Sequence, residues 1–357
     1  MKKKYGMIPF FIPHVGCPHA CIFCNQHRIA VSTTLLPEEE GNLPTQEEIR
    51  ETIAAYTEGF SKGEKHWEVA FYGGSFTALP MELMESLLNP ATEALESGFI
   101  DGIRCSTRPD GLGKIRLEAL RAAGVTTVEL GVQSMVEDIL KRAERGHTAE
   151  AVRYGVRVLR QHGFSVGLQM MPGLPGETWR TLVETTVEIA KLEPDFVRIY
   201  PVVVMKDTVL GEQFLSGEYE ALTLEQGIDY AAFCEGYFAS KGIPSIRTGL
   251  QPTDHLSSSD AILGGPYHPS FGELVKNERV FYQVCRVIPL LKELLGDEDG
   301  RIFIRYPRRY TSIVKGLKKK NESRMRKLFG DNIVFEENND MTYIVVEAGK
   351  IKCPIVY

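Results

Sequence analysis

The chain has 357 residues, of which 43% are hydrophobic and 25% charged, and its formal net charge at pH 7 is −6. This composition is ordinary for a globular protein with one large domain or a large and a small one, and the negative charge excludes nucleic-acid binding through global basicity. No run of about 18 apolar residues occurs, so no membrane span is predicted. Seven unevenly spaced cysteines exclude a secreted disulfide framework and favour a reducing cytoplasm.

Strand-like and helix-like segments alternate from the N-terminus. A strand at residues 7–12 precedes a cysteine-rich loop, and a capping-box pattern at residues 45–48 predicts the start of a helix. The strands predicted after it are 66–72, 102–107, 125–130, 164–171 and 196–200, and the further helices are 81–97, 113–123, 135–143, 148–162, 177–191 and 223–240. Six strand–helix pairs in succession predict parallel strands with right-handed crossovers, in a doubly wound sheet or a complete or partial barrel.

The connections between these segments favour the barrel. Polar and Gly/Pro-rich stretches follow most of the predicted strands, whereas a doubly wound sheet collects its functional loops at one switch point. We therefore expect an α/β fold with a partial (β/α)6 barrel of the TIM type.

The pattern changes from about residue 243. An irregular segment comes first, and residues 263–273 within it are either a lid over the barrel mouth, carrying Tyr267, His268 and Glu273, or a plain linker. The elements predicted after it are a helix at 272–295, a strand at 301–305, a basic helix at 309–328, and strands at 332–336 and 342–347. We expect a barrel core at residues 1–245 and a small α+β extension at residues 246–357.

Three cysteines, Cys17, Cys21 and Cys24, lie within eight residues directly after the first predicted strand. Thiolates this close together are typical of a metal site. A four-iron cluster held by three cysteines keeps one iron open for another ligand, whereas a closed zinc site needs a fourth protein ligand. The pattern favours the iron–sulfur cluster and leaves zinc as the alternative. The histidines near enough to complete a zinc site are His14, His19 and His27.

Several further segments combine with the cysteine spacing. They are Gly73-Gly74, Ser106–Asp110, Val128–Ser134, Arg145–His147, Met170–Pro175 and Arg198–Pro201. Together they resemble the radical SAM superfamily and, within it, the branch that contains the catalytic subunit of the tRNA-modifying Elongator complex. Oxygen-independent coproporphyrinogen oxidases are more distant relatives. The resemblance covers about residues 5–245.

The resemblance implies a cofactor pair. Cys17, Cys21 and Cys24 would hold a [4Fe-4S] cluster, and S-adenosylmethionine would chelate the fourth iron. One electron, from a donor such as flavodoxin or ferredoxin, would cleave the sulfonium bond, and the resulting 5′-deoxyadenosyl radical would abstract a substrate hydrogen. The cofactors supply the difficult chemistry, and the protein supplies placement and exclusion of water.

The resemblance also implies cofactor contacts. Gly73 and Gly74 would let the amino group of S-adenosylmethionine approach the backbone, although a Gly-Gly pair is ordinarily just a turn. Gln133 and Arg145 match positions that contact S-adenosylmethionine, and Arg145 would pair with its carboxylate unless it is a solvated charge. Phe23 would cover the cluster and lie beside the adenine.

Three further residues are implied as pocket residues. Arg108 and Glu129 stand at strand ends and would line the cofactor or substrate pocket, with a structural ion pair as the alternative for each. Gln169 stands where the porphyrinogen-oxidising relative has an aspartate, and its amide would still hydrogen-bond to ribose hydroxyls.

Two departures from the Elongator branch bear on the reaction. No segment resembles the acetyltransferase-like domain of the Elongator subunit, and Arg198 stands where its relatives place a lysine implicated in acetyl-CoA use. We therefore do not expect carboxymethylation of wobble uridine from acetyl-CoA.

A basic segment gives an indication of the substrate. Between Arg301 and Lys327 the sequence has eleven lysines or arginines and one acid, with aromatic residues interleaved. This pattern is typical of an RNA-binding surface, with tRNA the first expectation, and a solvated basic helix face is the alternative. The sequence thus leaves three hypotheses: a radical SAM enzyme acting on RNA, one acting on a small metabolite, and a non-catalytic, zinc-stabilised RNA-binding protein.

Overall fold

A seven-stranded parallel sheet forms the centre of the fold. The computed structural model describes residues 4–12, 17, 21–25, 43–251, 261–295 and 300–355. The strands up to residue 248 are β1 (Lys4–Ile12), β2 (Lys65–Gly73), β3 (Gly102–Thr107), β4 (Val125–Gln133), β5 (Ser165–Met170), β6 (Phe196–Ile199), β7 (Val204–Met205) and β8 (Ser245–Thr248). All except β7 belong to the sheet, where they lie side by side in chain order and pair in parallel.

Helices connect the strands. They are α1 (Gln46–Thr57), α2 (Met81–Glu96), α3 (Lys114–Ala122), α4 (Glu137–Arg142), α5 (Ala149–Gln161), α6 (Trp179–Lys191), α7 (Val209–Ser216) and α8 (Leu224–Ser240). The predicted capping box begins α1: the Thr45 hydroxyl accepts from Glu48 N at 3.3 Å, and the Glu48 carboxylate accepts from Thr45 N at 2.6 Å. None of the helices within the described ranges is long and apolar enough to cross a membrane.

The sheet is curled, and its two faces carry different side chains. Successive residues of a strand point to opposite faces, and Phe71 packs into the apolar core that the sheet shares with the helices. Tyr72 points the other way, and its hydroxyl accepts a hydrogen bond from Arg198 Nη2 at 2.6 Å. Tyr72 is on β2 and Arg198 on β6, four places along the sheet, so these strands meet only across a concave face. The predicted partial barrel is confirmed.

The sheet differs from the prediction at two places. β4 continues beyond the predicted end at residue 130 to Gln133, with a register shift between Gly131 and Gln133. The end was placed too early because a glycine in a strand pattern can indicate either a bulge or the end of the strand. β8 was not predicted, because four half-exposed residues at a sheet edge show no clear apolar alternation. β7 and α7 were also missed.

A second sheet forms near the C-terminus. The remaining elements are β9 (Ile262–Gly264), α9 (Phe271–Leu295), β10 (Ile302–Tyr306), α10 (Thr311–Lys315), α11 (Lys320–Phe329), β11 (Ile333–Glu337), β12 (Ile344–Ala348) and β13 (Ile351–Ile355). Strands β10 to β13 form a mixed sheet in the order β11-β10-β12-β13, and β9 pairs with β7. Val275 of α9 belongs to the apolar core of the large sheet, and Val284 of the same helix belongs to the apolar core of the small sheet. The expected domain division at residue 245 falls on the first residue of β8 and stays a prediction.

The predicted single basic helix at 309–328 is wrong. It is divided into α10 and α11, because Gly316 has a φ of 73° and ends α10. Lys318 and Lys319 follow with φ of 50° and 63°, which places two consecutive non-glycine residues in the left-handed region. That conformation costs on the order of 1 kcal/mol per residue for a side chain with a Cβ.

This turn generates a stability prediction. Lys318→Gly and Lys319→Gly are each expected to raise the free energy of unfolding by about 1 kcal/mol, because glycine adopts positive φ without strain. The adjacent Lys320→Gly is the matched control: Lys320 is helical, with φ −55° and ψ −46°, so glycine there should lower stability by about 1 kcal/mol. Urea unfolding of the three variants measures both signs, and a uniform loss would contradict the left-handed assignment.

Candidate active site

The cysteine turn after β1 is tied to neighbouring elements by its backbone. Cys24 N donates to Cys21 O at 3.0 Å, which closes the turn, and Leu210 N at the start of α7 donates to Ile22 O at 2.8 Å. Ile22 is buried in an apolar cluster with Ile139 of α4. The turn is therefore held against α4 and α7 by packing and by a backbone hydrogen bond.

Arg145 connects this turn to the end of β4. Its Nη1 lies 3.3 Å from Cys21 Sγ, and its Nη2 donates to Gly131 O at 2.7 Å. The side chain is buried, and its Nε has no hydrogen-bond partner among the described residues. The guanidinium therefore lies against one of the three clustered cysteines.

Gly131 is required for this arrangement. A Cβ at position 131 would lie 2.7 Å from Arg145 Nη2 and 3.0 Å from Gln133 Nε2, closer than side chains pack. Gln133 itself has a φ of 67°, and its Oε1 accepts from Gln169 Nε2 of β5 at 3.3 Å. A strained non-glycine residue at a strand end is typical of a functional site.

Arg108 joins the same group from the end of β3. Its guanidinium pairs with Asp110 through two hydrogen bonds of 2.9 and 2.8 Å, and its Nη2 also donates to Arg145 O at 2.7 Å. Burial opposes the ionised form of Asp110, but the hydrogen bonds and charge of Arg108 outweigh it and lower the pKa of that carboxyl. Arg108 Nη1 is buried without a partner among the described residues.

His147 approaches the carbonyl that Arg145 uses. Its Nε2 is 3.3 Å from Gly131 O and its Nδ1 is 3.3 Å from Thr148 O. Burial first, and then the charge of Arg145, lower the pKa of His147 to about 4. The ring is therefore neutral at physiological pH and adds no positive charge beside Arg145.

The Gly73-Gly74 pair lies where β2 meets the end of β1. Gly74 N donates to Ile12 O at 2.7 Å. Gly73 has a φ of 104°, and a Cβ there would lie 2.8 Å from Ile12 O, so this position requires glycine. Phe23 packs against the apolar cluster that contains Ile22.

Glu129 belongs to a separate network on the concave face. Its carboxylate accepts from Arg104 Nη1 at 3.0 Å, from Arg198 Nε at 2.5 Å and from the Tyr72 hydroxyl at 3.0 Å. Burial, followed by the charge of Glu129, raises the pKa of Tyr72 well above its usual value, so its hydroxyl stays protonated and donates.

Two further contacts extend this network. Arg104 Nε donates to Glu68 Oε2 at 2.6 Å, and Arg198 Nη1 donates to the Tyr200 hydroxyl at 3.0 Å. We call this set the concave-face cluster. Its members are Glu68, Tyr72, Arg104, Glu129, Arg198 and Tyr200.

The structure thus brings part of the expected site together. Hydrogen bonds join Cys21, Arg145 and Arg108 in one group and Gln133 with Gln169 in another. Glu129 is engaged in the concave-face cluster. Within the described ranges, no three His, Cys, Asp or Glu side chains converge as ligands of one metal ion. The histidines considered for a zinc site, residues 14, 19 and 27, lie outside the described residues.

Several residues of this region were missed at the level of sequence. Tyr72, Arg104 and Tyr200 were not expected to act, although each alternates with apolar residues along or at the end of its strand. A polar residue at every second position of a buried strand is the signal that identifies a polar inner face.

A cavity of about 300 Å³ lies beside β8. It is lined by Arg247 of β8 and by Glu273 and Lys276 of α9, among others, and it shares no residue with the Arg145 group or the concave-face cluster. The contacts among the strand ends, and not this cavity, define the candidate site.

Comparison with known proteins identifies the family. Residues 11–188 match the radical SAM superfamily, and residues 194–280 match the radical SAM C-terminal domain. An uncharacterized protein of Methanocaldococcus jannaschii is 32% identical over 240 residues, which are 64% of this chain and 71% of that protein. The chain belongs to the radical SAM superfamily. It is therefore an enzyme, which decides against the non-catalytic, zinc-stabilised alternative.

Other radical SAM relatives are longer. The tRNA uridine(34) acetyltransferase of Methanocaldococcus jannaschii is 28% identical over 228 residues, which are 58% of this chain and only 41% of that protein. The structure of Methanocaldococcus infernus Elp3 with an N-terminal deletion superposes with a TM-score of 0.59 at 22% identity, over 81% of this chain and 64% of that one. This structural similarity supports the fold alone.

Radical SAM membership implies an iron–sulfur cluster and S-adenosylmethionine, and the residues present fit both. The cysteine turn would supply the sulfur ligands of the cluster, with Arg145 against Cys21 Sγ. Arg145 Nε and Arg108 Nη1 are buried donors without a partner among the described residues, and an anionic ligand such as a carboxylate would satisfy them.

Gly131 generates a prediction for S-adenosylmethionine binding. Gly131→Ala is expected to weaken binding by about tenfold or more, because the added methyl group displaces the guanidinium of Arg145. Equilibrium dialysis with the cluster-loaded protein measures the dissociation constant.

Gly236→Ala on α8 is the matched control, because no atom lies within 4 Å of the added methyl group. It should leave the dissociation constant unchanged. Equal affinity of the Gly131→Ala variant and the wild type would contradict the role given to the Arg145 position.

Proposed function

We propose that the chain is a radical SAM enzyme that holds a [4Fe-4S] cluster through Cys17, Cys21 and Cys24 and modifies RNA, with tRNA as the first candidate. The single observation that carries the cofactor part is the buried contact of Arg145 with Cys21, in which the guanidinium keeps a free donor beside the cysteine turn. When bound, the reduced cluster and S-adenosylmethionine supply a 5′-deoxyadenosyl radical that takes a hydrogen atom from the substrate.

The two buried arginines bind and orient the cofactor in this proposal. Arg145 and Arg108 present their unpartnered N–H groups to the carboxylate of S-adenosylmethionine, a charge-assisted contact. Asp110 holds Arg108 through two hydrogen bonds, so the donor is fixed before the ligand arrives. His147 is neutral, so the positive charge at this site comes from Arg145 and Arg108.

The remaining contacts position the rest of the cofactor. Gly73 and Gly74 form the backbone edge that the amino group approaches, and the linked amides of Gln133 and Gln169 face the ribose hydroxyls. Phe23 shields the cluster from water. Glu129 anchors the concave-face cluster next to the cofactor pocket.

Two further assignments belong to this proposal. The core is residues 1–245, followed by an extension at residues 246–357. A flavodoxin or ferredoxin is the electron donor in this proposal. The cytoplasm is its compartment, because the scattered cysteines form no disulfide framework.

The RNA part of the proposal rests on two observations. A relative is named as a tRNA uridine(34) acetyltransferase, and the chain aligns with 41% of its length. The basic segment at residues 301–327 keeps exposed cations: Lys318, Lys319 and Lys327 have no ion-pair partner among the described residues. Cations free of carboxylates are the ones that bind RNA phosphates.

Other basic residues of that segment are already engaged. Arg305 pairs with Glu336 at 2.8 Å and with Glu347 at 2.6 Å, and Arg324 pairs with Glu278 at 2.6 Å. Fewer than the eleven cations of the segment are therefore available to bind RNA. The proposed RNA surface is centred on the strained lysine turn between α10 and α11.

The catalytic proposal predicts the outcome of one substitution. After anaerobic reconstitution, the wild type with dithionite and S-adenosylmethionine is expected to form 5′-deoxyadenosine and methionine. Cys21→Ala should form none, because a cluster ligand is lost. Cys285→Ala in α9 is the control and should retain full activity. A well-loaded wild type that forms no 5′-deoxyadenosine would overturn the proposal.

The RNA proposal predicts a salt dependence. Replacing Lys318, Lys319 and Lys327 by Gln together should reduce tRNA affinity by about tenfold or more, and should lower the slope of log affinity against log salt by about 2 to 3. The control replaces three lysines outside the segment, Lys114, Lys141 and Lys191, and should change neither quantity. Absence of tRNA binding, or an equal effect of both triple variants, would favour a small-metabolite substrate.

A further inference from the structure

Tyr200 carries a hydroxyl donor that none of the described residues accepts from. The Tyr200 oxygen accepts from Arg198 Nη1 at 3.0 Å, and its O–H has no acceptor among the described residues. Tyr72 contrasts with it, because the Tyr72 hydroxyl accepts from Arg198 Nη2 and donates to Glu129. Of the two tyrosines in the concave-face cluster, Tyr200 alone retains a free donor.

The position of Tyr200 directs this donor to the mouth of the half-barrel. Tyr200 directly follows β6, and its backbone N–H donates to Met170 O at the end of β5 at 3.0 Å. Gln169 and Arg198 are neighbours in the parallel register, and Tyr200 lies two residues beyond Arg198, so its side chain is attached beyond Gln169 on the carboxyl side. Ligands of parallel barrels bind at this carboxyl edge.

The charge within the concave-face cluster is balanced. Arg198 and Arg104 are matched by Glu129 and Glu68, all four side chains are at most 11% exposed, and each pairs within the cluster. No cation of the concave-face cluster is left for an anionic substrate. Burying an additional charged group beside this neutral set would carry an uncompensated desolvation cost.

We propose that the Tyr200 hydroxyl is a specificity-determining donor, which binds an accepting oxygen of an electrically neutral reacting group. A carbonyl on the edge of a nucleobase has this chemistry. The locked Arg198 orients the Tyr200 oxygen through Nη1, so that the O–H points away from the guanidinium. This inference deepens the proposed RNA-modifying function and rests on it for the choice of nucleoside probes.

A binding experiment tests the donor without any catalysis. The protein is labelled with 3-fluorotyrosine, and the Tyr200 ¹⁹F resonance is assigned by its absence from the Tyr200→Phe variant. Uridine and its 5-carboxamide are expected to shift this resonance in a saturable way. The 5-carboxylate, of equal size but negatively charged, should bind at least about tenfold more weakly. The resonance of exposed Tyr154 on α5 should not move.

The opposite titration results are decisive. No saturable shift with the two neutral probes would overturn the donor role of Tyr200. An equal response to the carboxylate would overturn the selection for a neutral group.

A turnover experiment separates this inference from the proposed function. Tyr200→Phe is expected to lower the tRNA-dependent formation of 5′-deoxyadenosine by about tenfold, and its formation without tRNA by much less. Tyr154→Phe should leave both rates unchanged. An equal loss in both conditions would place Tyr200 with the cofactor and overturn the inference. A wild type that forms no 5′-deoxyadenosine would overturn the proposed function, and the ¹⁹F titration would still decide on Tyr200.

Discussion

The pairing of buried charges on the concave face constrains the rest of this structure. A buried guanidinium or carboxylate without a partner costs several kcal/mol, so Arg104, Glu129 and Arg198 have to meet. They stand on β3, β4 and β6, and Arg198 also reaches Tyr72 on β2, four places along the sheet, because the sheet curls. The same curl brings the carboxyl ends of the strands round a common space, where the candidate site lies.

The candidate site depends on a second constraint, the carbonyl of Gly131. It orients Arg145 at 2.7 Å, and the missing side chain of Gly131 leaves room for that guanidinium and for the amide of Gln133. The bulge of β4 at this point interrupts the regular pairing of the strand next to the candidate site. One glycine therefore connects the cysteine turn, the strained glutamine and the two arginines.

Much of the fold follows from local sequence, whereas the site contacts do not. Long amphipathic helices and buried strands can be predicted from the periodicity of their apolar residues. The capping box of Thr45 and Glu48 predicts the start of α1. The four residues of β8 are too few to show a clear pattern of apolar and polar residues. The helix break at Gly316 depends on a positive φ, which a glycine allows but does not require. Motif resemblance named Arg145 and Gln133. It could not show that Glu129 turns to Arg198, because ion pairs between distant strands depend on the curvature of the sheet.

The hydrogen bond between Tyr72 on β2 and Arg198 on β6 has a consequence for motion. It joins two strands that lie four places apart in the sheet, so moving β2 away from β6 would break a partly buried, charge-assisted contact. The contact therefore opposes flattening of the sheet. A ligand that needs more room is admitted at lower cost by movement of the connections at the carboxyl edge than by widening of the strands.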